Sequence, residues 1–180
     1  MTHVIEEAKS GRSKCRGCGS SIAKGELRFG ERLPNPFADD GDMTLWFHIV
    51  CGAMRRPASF GEMLDHELIE QGEALGALVA AGVEHYRLER IAGVEKAASG
   101  RAKCRHCRES IEKDAWRIPL VFFEEGMFNS SGFIHVSCAR EYFGTSEILD
   151  RLKHFRSKGG GDDATLSDAD VESLTELLSD

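Results

Sequence analysis

The apolar residues of this 180-residue chain come in short bursts separated by polar loops. Residues 22–29 and 115–123 have the β-branched and aromatic content of strands. A loop follows each, and then a second apolar run, LWFHIVC at 45–51 and GFIHVSC at 132–138. This pattern predicts an antiparallel ribbon in each half. Between the halves, residues 62–90 place Met63, Leu64, Leu68, Ile69, Leu75, Leu78, Val79, Val83 and Tyr86 at helical spacing. Gly72, Gly76 and Gly82 interrupt that spacing and predict two helices rather than one. Near the C-terminus, GGGDD at 159–163 reads as a flexible break. Ser167 and Asp170 then form a capping-box-like start for an acidic helix with Val171, Leu174, Leu177 and Leu178 on its apolar face.

The two halves repeat one another. SGRSKCRGCGSSIAKGELR at 10–28 aligns with SGRAKCRHCRESIEKDAWR at 99–117, with 11 of 19 positions identical at an offset of 89. The histidine-bearing runs align at an offset of 87, so the loop is two residues shorter in the second copy. The expected organisation is a first module at 1–70, a helical connector at 71–93, a second module at 94–157, and the break with its terminal helix at 158–180. The fold class is α+β: two small modules, each an antiparallel ribbon with flanking helices. Units of about ninety residues have marginal cores and commonly rely on a metal or a disulfide.

Every cysteine falls into this repeat. Cys15-x-x-Cys18 is followed by His48-x-x-Cys51, and Cys104-x-x-Cys107 by His135-x-x-Cys138. A lone Cys-x-x-Cys also suits a buried cysteine pair or a redox dithiol, but neither needs a partner His-x-x-Cys. Three thiolates and an imidazole suit a closed zinc tetrahedron with no open position for a nucleophilic water. Two structural Zn2+ ions that supply folding free energy are therefore expected. His106, inside the second Cys-x-x-Cys, aligns with Gly17 and is set aside as a ligand.

Charge sharpens the division. The formal net charge is −7. Segments 1–60 and 96–157 carry +2 and +3, whereas 61–95 and 158–180 carry −6 each. The cysteine-bearing segments are mildly basic, and the acidic segments suggest a protein partner. No stretch reaches the roughly twenty apolar residues of a membrane span, and the N-terminus lacks a signal-peptide pattern. An intracellular, reducing setting is expected: cytoplasmic and nucleoid-associated if bacterial, nuclear if eukaryotic.

The duplicated Ser-Gly-Arg before the first cysteine, with Lys24 and Arg28 or Lys113 and Arg117 after the pair and Phe47 or Phe133 near the histidine, resembles the PARP-type zinc finger. The resemblance covers about residues 5–65 and 94–150. It implies recognition of DNA strand breaks, ends, nicks or gaps by shape, with Arg12, Arg28, Arg101 and Arg117 on phosphates. Guanidinium groups suit phosphate, and Lys14, Arg16, Lys103 and Arg105 would widen the basic face. The loop residues Phe37, Met127 and Phe128 would stack on an exposed base. The function expected is a non-enzymatic sensor or adaptor for DNA breaks, acting alone or as a homodimer. The alternative is a zinc-stabilised protein-interaction module.

Overall fold

The computed structural model describes residues 2–38, 41–159 and 165–179. The chain folds as two units. One is Met1–Glu89 with Phe123–Phe128, and the other is Arg90–Phe122 with Asn129–Asp180.

The first unit is a three-stranded antiparallel sheet carrying helices. Its strands are β1 (Val4–Glu7), β2 (Leu27–Pro34) and β3 (Asp42–His48), with β2 central. β1 is an addition to the expected ribbon. β2 begins at Leu27, five residues later than the apolar pattern suggested, because Gly25 turns the chain at φ +83°. Ala23 N–H donates to Glu26 Oε2 across that turn (3.0 Å), and Ile22 is buried from the loop rather than from a strand.

The register places Phe29 opposite Phe47. Phe29 is the hub of the core, with ring centroids 6.0 Å from Phe47 and 5.1 Å from Phe60. Helix α1 (Ile49–Arg55) leaves β3 directly, and α2 (Pro57–Gly61) starts on a proline, which fits a first helical position. Gly52 lets α1 approach closely: a Cβ there would lie 2.8 Å from Phe29 Cδ1. Helix α3 (Gly72–Glu84) is the longer of the two expected in 62–90, and a short 3-10 helix at Tyr86–Arg90 replaces the other. α3 packs on α1 and α2 through buried Leu75 and Val79. The residues read as a connector thus contribute to this core.

Two features of the first unit have no counterpart in the repeat. Glu31 is fully buried and accepts from Arg56 Nε at 2.8 Å and from Ser59 Oγ at 2.6 Å. The aligned residue 89 positions on is Leu120, an apolar core residue. The segment Phe123–Phe128 also belongs to this unit. Phe128 packs edge-on to Phe47 at 6.3 Å and against Phe123 at 4.9 Å, while Arg56 lies 3.9 Å over the Phe123 ring.

The second unit repeats the plan with β4 (Glu95–Lys96), β5 (Trp116–Glu124) and β6 (Met127–His135), again with the middle strand central. A 3-10 turn, Val136–Cys138, leads into α4 (Ala139–Phe143), which ends at Gly144 in the left-handed region (φ +75°). Helix α5 (Leu149–Gly159) follows. Ile111, Ile118, Ile134, Ile148 and Leu152 form a fully buried aliphatic core.

The terminal helix α6 (Asp168–Ser179) has the expected cap. Asp170 Oδ2 accepts from Ser167 Oγ at 2.8 Å, and Asp170 N–H donates to Ser167 Oγ at 3.2 Å. α6 lies against the Val136–Cys138 turn, with Leu174 and Leu178 buried. The expected break falls mainly on residues 160–164, outside the described residues.

Candidate metal centres

Each expected ligand set converges at one point. Cys15, Cys18, His48 and Cys51 bring their ligand atoms within 4.8 Å of one another, as do Cys104, Cys107, His135 and Cys138. The local folds explain how. The first cysteine pair sits on a tight loop in which Gly17 N–H donates to Cys15 Sγ (3.3 Å). His48 ends β3, and Cys51 lies in the first turn of α1. In the second unit His135 ends β6 and Cys138 closes the 3-10 turn.

The imidazoles face the thiols through Nδ1. His48 Nδ1 is 3.4 Å from Cys18 Sγ and 3.9 Å from Cys51 Sγ. His135 Nδ1 is 3.4 Å from Cys107 Sγ and 3.8 Å from Cys138 Sγ. A tetrahedron with zinc–sulfur bonds of ~2.3 Å and a zinc–nitrogen bond of ~2.0 Å has edges of roughly 3.5–3.8 Å, so both sets fit Zn2+. The Nε2 atoms face outward to orienting groups, as ligating histidines commonly do. His48 Nε2 lies 3.8 Å from Glu26 Oε1, and His135 Nε2 lies 3.2 Å from the Ser110 carbonyl oxygen.

Electrostatics point the same way. Burial pushes the Cys104 thiol up, but backbone N–H donation from His135, Cys107 and His106 outweighs it and brings the thiol down to about 6. Cys138 is pushed up to about 12 by burial and by the negative charge of Cys104 and Cys107. In the first centre Cys18 is lowered, chiefly by a hydrogen bond from Cys15, while Cys51 is raised by hydrogen bonding to Cys15 and Cys18. Three thiols this close cannot all ionise unless a shared cation neutralises them.

A second constellation is duplicated beside each centre. Arg28 is nearly buried, donates through Nη1 to Ser13 Oγ (2.7 Å) and through Nη2 to Glu6 Oε1, and stacks 3.5 Å over Trp46. Arg117 donates through Nε and Nη2 to Glu95 Oε1 at 2.9 and 2.6 Å and stacks 3.7 Å over Phe133. The strand register builds both, pairing Glu6 with Arg28 and Glu95 with Arg117. Glu6, Glu95 and Trp46 escaped the sequence reading, although Glu6 and Glu95 share the offset of 89 and Trp46 aligns with Phe133.

Residues 6–77 match the family model described as the poly(ADP-ribose) polymerase and DNA-ligase Zn-finger region. Residues 6–77 therefore carry a PARP-type zinc-finger region. The chain is 31% identical to a poly [ADP-ribose] polymerase of Sarcophaga peregrina over 169 residues, covering 81% of this chain and 17% of the relative. A Drosophila melanogaster poly [ADP-ribose] polymerase is 26% identical over the whole chain and 20% of its own length. Poly [ADP-ribose] polymerase 1 of Caenorhabditis elegans is 45% identical over 51 residues, 28% of the chain and 5% of the relative. The chain thus spans a fifth or less of these relatives.

The basic residues around the two centres divide in two. Arg12, Lys14 and Arg16 are exposed and, with Trp46, line a concavity of about 560 Å³ beside Cys15. Arg101, Lys103 and Arg105 are exposed in the second unit. Arg28 and Arg117 stand apart, because their guanidinium groups are already held by carboxylates and rings. The expected stacking residues divide as well. Phe37 is 72% exposed in the β2–β3 loop and Met127 is 46% exposed, whereas Phe128 is packed on Phe47 and Phe123. Among the described residues no helix is long and apolar enough to cross a membrane.

Proposed function

We propose that this PARP-type protein binds DNA ends or strand breaks through Arg12, Lys14 and Arg16 of the first unit together with Phe37 in its β2–β3 loop. The observation that carries this is the pairing of an exposed basic concavity, walled by Trp46, with an exposed loop aromatic in the same unit. Cations of this kind position a phosphate backbone without reading sequence. A free aromatic ring stacks on any terminal base, for ~1–3 kcal/mol. Arg28 and Arg117 serve as braces that fix the Trp46 and Phe133 rings, and Phe128 serves the core. The second zinc site, with Arg101, Lys103, Arg105 and Arg117, forms a second finger that shares the scaffold. Polymerase activity belongs to the named relatives. This chain acts as a non-catalytic sensor or adaptor.

The test compares nicked, blunt-ended and closed circular duplexes at one salt concentration, because affinity depends steeply on salt. Nicked and blunt DNA are expected to bind more tightly than closed duplex. Arg12→Ala and Arg16→Ala should each lower the salt slope by about one. Phe37→Ala should remove the preference for ends while leaving the slope unchanged. Equal affinity for all three duplexes would overturn the reading.

A further inference from the structure

Residues 57–86 hold six carboxylates and no lysine or arginine. The structure shows what this segment surrounds. Leu27 at the start of β2, Ile49 and Val50 at the start of α1, Leu68 and Ile69 in the turn before α3, and Leu75 within α3 enclose an apolar groove of about 220 Å³. Leu68 is 40% exposed at its margin. Glu70 lines the groove, and Glu67 and Glu73, three residues to either side in sequence, are exposed. Among the described residues none of these three carboxylates has an ion-pair partner. The terminal acidic helix offers no comparable surface, since Leu174 and Leu178 are already buried and Asp170 faces Lys96 at 3.9 Å.

We infer that this groove is a docking site for a basic amphipathic segment of a partner protein, one that seats aliphatic side chains in the groove and sets Lys or Arg against Glu67, Glu70 and Glu73. An apolar groove calls for aliphatic anchors. A rim of one charge selects the opposite charge and rejects its own. Nucleic acid is the wrong occupant for the same reason, so the surface is separate from the proposed DNA face. It would give the protein an adaptor's second contact.

The experiment uses the full-length zinc-loaded chain and two fluorescein-labelled 15-residue helical peptides. Both carry leucines four residues apart, flanked by lysines in one and glutamates in the other. Anisotropy should show the lysine peptide binding at least tenfold more tightly than the glutamate peptide. Amide shift changes should centre on residues 68–75. Leu68→Ser should weaken the lysine peptide at least tenfold without changing zinc content or affinity for nicked DNA. Glu67→Lys combined with Glu70→Lys should transfer the preference to the glutamate peptide. Equal binding of both peptides, insensitivity to Leu68→Ser, or shifts confined to other surfaces would overturn the inference. So would self-association of the wild-type chain through this groove, which would make a second copy the occupant. Because DNA affinity is read on the same variants, failure here leaves the DNA-binding reading to stand or fall by its own test.

Discussion

In the first metal centre Cys15, His48 and Cys51 are buried and Cys18 is half-buried. In the second only Cys104 is buried, and Cys107 is exposed. The ligands and their geometry are the same, so the difference lies in what covers them. Gly17, inside the first Cys-x-x-Cys, leaves room for Arg55, whose Nε and Nη2 both donate to the Gly17 carbonyl at 3.3 Å. Arg55 also reaches the Glu89 carbonyl at 2.8 Å. At the aligned positions the second unit has His106 and Tyr142. His106 turns outward to Glu141 (2.9 Å) with its ring edge-on to Tyr142. The comparison separates two jobs. The ligand set decides that a metal binds, and the cover decides how readily solvent reaches it.

Disrupting the ligand set is the harshest way to break the equivalence. Zinc binding supplies on the order of 10–16 kcal/mol of apparent folding free energy in small zinc-finger peptides. Cys51→Ser is therefore expected to unfold the first unit, lower zinc content from two ions to one in native mass spectrometry, and leave the second centre loaded. A chelator sharpens the comparison without mutation. Zinc release followed with a colorimetric indicator should be biphasic, and the fast phase should belong to the centre with exposed Cys107. Cys104→Ser should remove that fast phase alone. A single phase for both centres would show that burial does not set lability here.

The next contrast is Glu31 against Leu120. Glu31→Ala strands Arg56 and Ser59, and removing one member of a buried pair costs ~3–5 kcal/mol. Leu120→Ala leaves a cavity at the aligned position and costs ~2–5 kcal/mol. The two losses differ in kind. The Glu31→Ala deficit should be partly recovered by adding Arg56→Met, which removes the stranded cation, whereas the Leu120→Ala deficit should not respond to that second change. Denaturant melts of the zinc-loaded single and double variants distinguish them.

The covers themselves come third. A Cβ on residue 17 would meet Cys51 Cβ at 2.9 Å and Arg55 Cγ at 3.2 Å. Gly17→Ala is expected to cost ~1–3 kcal/mol by overpacking and to quicken zinc release from the first centre. His106→Ala removes a partly exposed contact and should stay within about 1 kcal/mol of wild type. If the two substitutions cost the same, the Arg55 cover does not protect the first centre.

These contrasts also show what the sequence reveals and what it conceals. The eight ligands are legible because zinc demands particular atoms at particular spacings, and the duplication repeats the demand. The positions of Arg28 and Arg117 are just as visible, but their environment is not. Only the register of β1 on β2 brings Glu6 to Arg28, twenty-two residues away, and gives that arginine a carboxylate partner that no local pattern announces. The start of β2 was misread because Ile22 is apolar for burial in a loop, and periodicity does not distinguish that from a strand. Phe128 looks like Phe37 in sequence, an aromatic in a polar loop. Its packing against Phe47 depends on long-range folding that no local pattern encodes. The helix α3 was visible as an apolar stripe, but a stripe does not name the surface it covers.

The smallest expected effect concerns the terminal helix. Asp170 is held below the usual carboxylate range, first by hydrogen bonds from the Ser167 hydroxyl and backbone N–H, then by the charges of Lys96 and Arg156. A carboxylate lowered on folding stabilises the folded state fully above its unfolded value, near 3.8. That contribution is lost as pH falls through the lower, folded value. The docked helix should therefore keep its cap throughout the neutral range and loosen only in strong acid. Ser167→Ala removes the leading cause, so the pKa of Asp170 should rise toward its ordinary value and the loosening should begin at higher pH. Amide exchange at Leu174 and Leu178 reads this directly, since both side chains are buried only while α6 is docked. If Ser167→Ala leaves the pH midpoint of that exchange unchanged, the apolar face alone holds the helix. The cap would then set only where the helix begins.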